Sequence, residues 1–180
     1  MHEDVFIAGF GGQGILLIGQ LLAYAGMEEG KHVLWIPVYG PETRGGFAYC
    51  TVVFSDEEIG SPVVVHPNSM IIMNLPSMDK FEPDLLPGGL MVVNSSMVNR
   101  PVNRRDVTAI MVPATEIATE LGNQKMANMV ALGAYVAQRK PVSFDSLLLA
   151  LEKVFKGKEK LIPLNRKAME RGAELAAVPR

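Results

Sequence analysis

Gly9-Phe10-Gly11-Gly12-Gln13-Gly14 stands between a short apolar run, Val5–Ala8, and a longer one that starts at Ile15. In the second run Leu16, Leu17, Gln20, Leu21 and Tyr24 recur at helical spacing. Glycines there let a strand turn straight into a helix, because they accept backbone angles and close approaches that a Cβ forbids. The G-x-G-x-x-G spacing in this context is the dinucleotide fingerprint. Its second half is missing. The fingerprint places an acid at the tip of the second strand, but the second strand here leaves through Ile36-Pro37-Val38-Tyr39-Gly40, and Glu42 follows only after a Gly-Pro break. No Lys-Ser/Thr pair follows Gly14, so a Walker-type loop fits less well still. Three readings stay open: a tight structural turn, a nicotinamide site without its ribose acid, or an anion or coenzyme-phosphate site at a helix start.

The rest of the chain reads as α/β. Strands are expected at Val33–Val38, Phe47–Phe54, Met70–Leu75, Leu90–Asn94 and Thr108–Val112. The first helix runs from Ile15 to Ala25, ended by Gly26 or Gly30. Thr115 is placed to cap a helix closed by Gly122, a helix follows over Asn123–Gln138, Ser143 caps another, and a last amphipathic helix covers about Asn165–Ala177. Ala127, Ala131 and Ala134 offer a surface where another backbone can come close. A βα start, several apolar strands and a helical second half predict a three-layer, Rossmann-like open sheet with helices on both faces. With 180 residues, one domain spanning 1–180 is expected.

Several function classes drop out. A net charge of −2 carries no basic excess for nucleic acid or an anionic membrane. One cysteine, Cys50, rules out a disulfide framework and an iron–sulfur site on this chain. His2, His32 and His66 lack ligand spacing, so no metal site is expected. No secretory leader and no apolar stretch of membrane-spanning length is read, so the expected home is the cytoplasm. Cys50 sits mid-strand with no histidine placed to activate it, which reads as a structural thiol. A mean hydropathy of +0.19 and eleven methionines suit either an irregular core or a contact surface.

Val38-Tyr39-Gly40-Pro41-Glu42-Thr43-Arg44-Gly45-Gly46 concentrates an aromatic, a carboxylate and a guanidinium between glycines and a proline. Arg44 offers a rigid fork for a carboxylate or phosphate. Gly45-Gly46 permits close approach of a ligand or a second backbone. The plainer alternative is a rigid loop in which Glu42 and Arg44 pair locally.

With the glycine turn, this segment resembles the γ subunits of 2-oxoacid:ferredoxin oxidoreductases. The resemblance continues in order through Ser61-Pro62, Leu86-Pro87-Gly88-Gly89-Leu90, Pro113–Ala118, Leu121-Gly122-Asn123 and Ala127–Ala134, to Asn165, Ala168 and Gly172. It covers nearly the whole chain. At His66-Pro67-Asn68 the chain departs from the Pro-Asp that the family often carries.

The resemblance implies a partner in an enzyme that oxidatively decarboxylates a 2-oxoacid, joins the acyl group to coenzyme A and passes two electrons to ferredoxin. It implies thiamine diphosphate and magnesium on α and β subunits, iron–sulfur clusters on β and a ferredoxin-like δ subunit, and no cofactor held by this chain alone. Coenzyme A contact is expected at Gly11, Gly12, Gln13 and Gly14 with Arg44; Tyr39, Glu42, Gly45, Gly46 and Asn128 are expected at an interface or ligand. No catalytic residue is assigned. Length and motifs resemble the 2-oxoglutarate branch. Two alternatives stand beside this reading: a standalone dinucleotide-binding oxidoreductase, and a purely structural subunit that self-associates as a homodimer when isolated.

Overall fold

The computed structural model describes residues 1–39 and 46–177, with Tyr39 described by its backbone alone. Six strands form one sheet: β1 (His2–Phe10), β2 (His32–Tyr39), β3 (Phe47–Ser55), β4 (Ser69–Ile72), β5 (Leu90–Asn94) and β6 (Thr108–Val112). Their order is β2-β3-β1-β4-β5-β6. β1, β4, β5 and β6 run parallel, whereas β3 is antiparallel to both of its neighbours. The four parallel strands therefore bring their carboxyl ends to one edge. In a dinucleotide fold the second strand lies beside the first; here β3 occupies that place, with Ala8 opposite Tyr49 and Phe10 opposite Phe47. The tip of β2 is thus one strand further from the glycine turn than a ribose acid needs to be.

The helices are α1 (Ile15–Glu28), α2 (Leu75–Phe81), α3 (Ala114–Glu120), α4 (Ala127–Arg139), α5 (Phe144–Val154) and α6 (Ile162–Ala177). Side-chain alternation splits the strands between two cores. Val5, Ile7, Cys50, Val52, Ile71 and Val92 face one side, where α1 covers β1–β3, α4 covers β4–β6, and α5 and α6 pack outside them. Ala8, Met70, Ile72, Met91 and Val93 face the other, covered by α2 and the segment leading to β6. Helices occupy both faces, but among the described residues five α-helices lie on one and α2 alone on the other. On that thin side Phe81 meets Phe6 edge-on at 4.7 Å, and Lys80 lies 4.7 Å from the centre of the Phe47 ring.

α2 was not expected. The run Met70–Leu75 reads as strand, yet β4 stops at Ile72 because Asn74 accepts a 2.9 Å bond from the Ser77 amide and Pro76 stands in the first turn. Gly26 does not end α1; Gly30, with φ 71°, lies beyond its end. Thr115 is not the cap of α3, which follows Pro113 without a side-chain cap. Ser143 does cap α5, accepting from the Ser146 amide at 3.1 Å.

α4 and α6 touch backbone to backbone. A Cβ on Gly133 would lie 1.9 Å from the Met169 carbonyl oxygen, and one on Gly172 would lie 1.9 Å from that of Val130. The close approach expected at Ala127, Ala131 and Ala134 is thus centred on Gly133. At the sheet's amino edge, burial raises the Asp4 carboxyl above its usual range, against bonds from the Asn68 amide at 2.7 Å and its side chain at 2.8 Å. An aspartate at 68 would set a second carboxylate against Asp4; asparagine donates instead. Among the described residues no helix is long and apolar enough to cross a membrane.

Candidate functional site

The glycine turn closes on itself. Phe10 carries both ends of the closure: its carbonyl accepts the Gln13 amide at 3.1 Å, and its amide donates to Gln13 Oε1 at 2.7 Å. Gln13 Nε2 reaches the Met73 carbonyl at 3.4 Å, tying the turn to the end of β4. The amide of Gly11 donates to the carbonyl of buried Gly46 at 3.1 Å, tying it to the start of β3.

Gly14 has φ 72° and begins α1 with no side-chain cap and no acid in the first turn. Its carbonyl accepts Asn128 Nδ2 at 3.1 Å, while Asn128 Oδ1 accepts the Met129 amide at 2.9 Å. Asn128 is 3% exposed. A Cβ on Gly14 would fall 2.2 Å from Asn128 Nδ2. Position 14 therefore needs glycine twice, for its backbone angle and for the amide pressed against it.

The predicted site residues thus divide. Gln13 and Asn128 turn inward and shape the loop. Gly11 joins it to Gly46. Gly12, with φ 95° and open space where a Cβ would stand, faces outward. Tyr39 ends β2 opposite Ala48. Glu42, Arg44 and Gly45 lie outside the described residues.

Gly12 opens onto a cleft of about 470 Å³ at the carboxyl edge of the parallel strands, lined also by Gln13, Met73, Met97, Thr115 and Lys125. Its size suits a small-molecule site, and its place is where open α/β sheets bind ligands. Thr115 in its wall accepts a 3.0 Å bond from Nδ2 of Asn94, which is buried behind it. Lys125 is the one cation lining the cleft among the described residues. Its side chain is exposed and makes no ion pair among the described residues. The uncapped start of α1 and the Lys125 amine both favour an anion. Lys125 had no signal in the sequence: it is a lone lysine before a helix, and only the fold carries it across to the glycine turn.

Among the described residues no Ser, Cys, His, Asp or Glu side chain lines the cleft. Cys50 is fully buried, its Sγ faces the Ile15 carbonyl at 3.7 Å, and burial pushes the thiol up to about 12. Among the described residues no three His, Cys, Asp or Glu side chains are grouped to hold a metal.

An α/β sheet with a glycine turn after β1, an uncapped helix start and a cleft at the carboxyl edge of its parallel strands is an open α/β domain with its cleft at the usual ligand position of that class. The chain belongs to the pyruvate ferredoxin/flavodoxin oxidoreductase family, whose pattern matches residues 4–175. It is 43% identical over 173 residues to the ketoisovalerate oxidoreductase subunit VorA of Methanothermobacter thermautotrophicus strain Delta H, covering 96% of this chain and 36% of that one. The keto/oxoacid ferredoxin oxidoreductase γ subunit of Geobacter sulfurreducens superposes with a TM-score of 0.84 at 30% identity, over 97% of this chain and 98% of that chain. The 2-oxoglutarate:ferredoxin oxidoreductase of Magnetococcus marinus, with 2-oxoglutarate, coenzyme A and succinyl-CoA bound, superposes with a TM-score of 0.89 at 26% identity, over 99% of this chain and 32% of that chain. The chain thus spans about a third of the length of VorA and of the Magnetococcus chain.

Proposed function

We propose that the chain is the γ component of a 2-oxoacid:ferredoxin oxidoreductase. It assembles with α, β and ferredoxin-like δ subunits and forms part of the coenzyme A site. The observation that carries this reading is the end-to-end correspondence with a solved γ subunit, over nearly all of both chains. The chain supplies neither of the complex's resident cofactors: one buried cysteine is too few for an iron–sulfur cluster, and thiamine diphosphate has no Gly-Asp-Gly motif to hold its magnesium. Both belong to the partners, as does ferredoxin docking.

The chain's own part is binding and orientation. Lys125 and the free amides at the start of α1 neutralise a coenzyme A phosphate, together with Arg44, whose guanidinium fork suits the same group. Gln13 and Asn128 hold the glycine turn in shape so that those amides face the cleft. The substrate is read at the level of the 2-oxoacid class. The motifs lean toward 2-oxoglutarate, whereas VorA is a ketoisovalerate enzyme subunit, and the discriminating groups belong with thiamine on the partner chains.

Copurification tests the assembly. Tagged chain drawn from its native cells is expected to bring down subunits that carry thiamine diphosphate and iron–sulfur clusters, identified by mass spectrometry and cofactor analysis. A chain that comes down alone and binds NAD tightly contradicts the reading and restores the standalone dinucleotide enzyme.

A further inference from the structure

A second groove, about 680 Å³, lies at the amino edge of the sheet, at the far end of the molecule from the glycine turn. Val53 and Ser55 near the end of β3 form its floor, and the segment after β3, residues 56–66, forms its wall. That wall is unusual in two ways. Val63 and Val65 are 70% and 66% exposed, although valine is a residue that folding normally buries. Val64 and Val65 also make no backbone hydrogen bond among the described residues, and the Val63 amide donates to Ser61 Oγ at 3.3 Å, two residues back on the same exposed segment. A β-branched run favours an extended chain, and unpaired main-chain groups on such a run are a template for an added strand.

The charge of the groove is one-sided. Asp56 is held by the amino terminus, but the Glu57 and Glu58 side chains have no ion-pair or hydrogen-bond partner among the described residues. Among the described residues no lysine or arginine lines the groove; its other titratable groups are His2, Asp4 and His66. Asp4 is occupied by Asn68, and His66 Nδ1 by the Asp84 carbonyl at 3.1 Å.

We propose that this groove receives an extended, lysine- or arginine-bearing segment of a partner subunit, paired along Val63–Val65 and neutralised by Glu57 and Glu58. The occupant belongs to the chain that corresponds to the other two-thirds of VorA, where this domain and the remainder are one polypeptide. The inference rests on the γ-subunit reading. It places the contact at the amino edge, which leaves the carboxyl-edge cleft open to coenzyme A.

The test uses the tagged full chain purified from native cells at several salt concentrations. It compares the wild type with Val63→Ser/Val65→Ser, which removes the apolar contact, and Glu57→Lys/Glu58→Lys, which reverses the charge. All four positions are exposed, so each variant is expected to keep the wild-type thermal unfolding curve. Each is expected to retain about tenfold less partner per tagged chain, since truncating a central interface anchor has effects of that order. Wild-type retention is expected to fall as salt rises. A photocrosslinker at position 65 is expected to capture a lysine- or arginine-bearing peptide of the partner; one at exposed Leu149 serves as the control. Partner retained at wild-type level by both variants, or crosslinks from position 65 only to a second copy of this chain, overturns the groove assignment and leaves the subunit reading standing. A wild-type chain that retains no partner overturns both.

Discussion

Gly133→Ala and Gly172→Ala are each expected to destabilise the fold by about 3 kcal/mol or more, the upper range for overpacking a core. The reason is geometric. Each new Cβ would meet a backbone carbonyl oxygen at 1.9 Å, whereas the closest ordinary carbon–oxygen contacts are about 3.3 Å. No side-chain rotation relieves a clash with backbone, so α6 must move away from α4. That separation opens the core around Val130, Ala134 and Met169, all buried between the two helices. Chemical denaturation of the two variants beside Gly60→Ala checks this. Gly60 has open space where a Cβ would stand and no positive φ, so its alanine variant is expected within about 0.5 kcal/mol of wild type. A shift for Gly133→Ala no larger than that of Gly60→Ala would show that α4 and α6 do not cross this closely.

Asn128→Asp is expected to have the second-largest effect, and one that depends on pH. The change preserves shape but replaces the amide that donates to the Gly14 carbonyl with an oxygen that repels it. The carboxylate would be buried, with the Met129 amide its one remaining donor among the described residues. The expected cost at neutral pH is about 2–3 kcal/mol, the scale for a buried polar pair turned unsatisfied. Burial without a cation raises the folded pKa of the new carboxyl above its unfolded value near 4. The unfolded chain then releases its proton first, so the cost grows as pH rises through the unfolded value and is full above the folded one. As pH falls the protonated acid can donate to Gly14, and the deficit against wild type shrinks. Denaturation of both proteins at pH 7 and at pH 4.5 measures the difference. A pH-independent deficit would mean that position 128 does not hold the Gly14 carbonyl.

Legibility in the sequence follows the range of the interaction that decides each element. β5 and β6 stand where their apolar runs stand, and α5 begins at the serine that caps it, because local pattern settles those. β4 and α2 share one apolar run, and Asn74 with Pro76 divides it; capping chemistry overrode the run. The insertion of β3 between β1 and β2 is a long-range pairing with no local trace, and it decides against a dinucleotide half-fold more firmly than the missing acid does. At the site, the glycine turn was legible because its spacing is unusual. The contacts of Gln13 and Asn128 were not: both are polar residues inside motifs that suggest a ligand, and the fold also joins Gln13 to Phe10 and Met73, and Asn128 to Gly14 and Met129. Lys125 was silent, since only the packing of α4 against the sheet brings its neighbourhood to Gly12.

The role proposed for this chain is to complete a 2-oxoacid:ferredoxin oxidoreductase and to contribute to its coenzyme A site. The most direct measurement is 2-oxoacid-dependent dye reduction by the remaining subunits, with and without this chain, across a range of coenzyme A concentrations. Pyruvate, 2-oxoglutarate and 2-ketoisovalerate are offered side by side. The account predicts that turnover requires the chain, and that Lys125→Ala raises the KM for coenzyme A while leaving the KM for the 2-oxoacid in place. Full, coenzyme A-saturable turnover without the chain would contradict it.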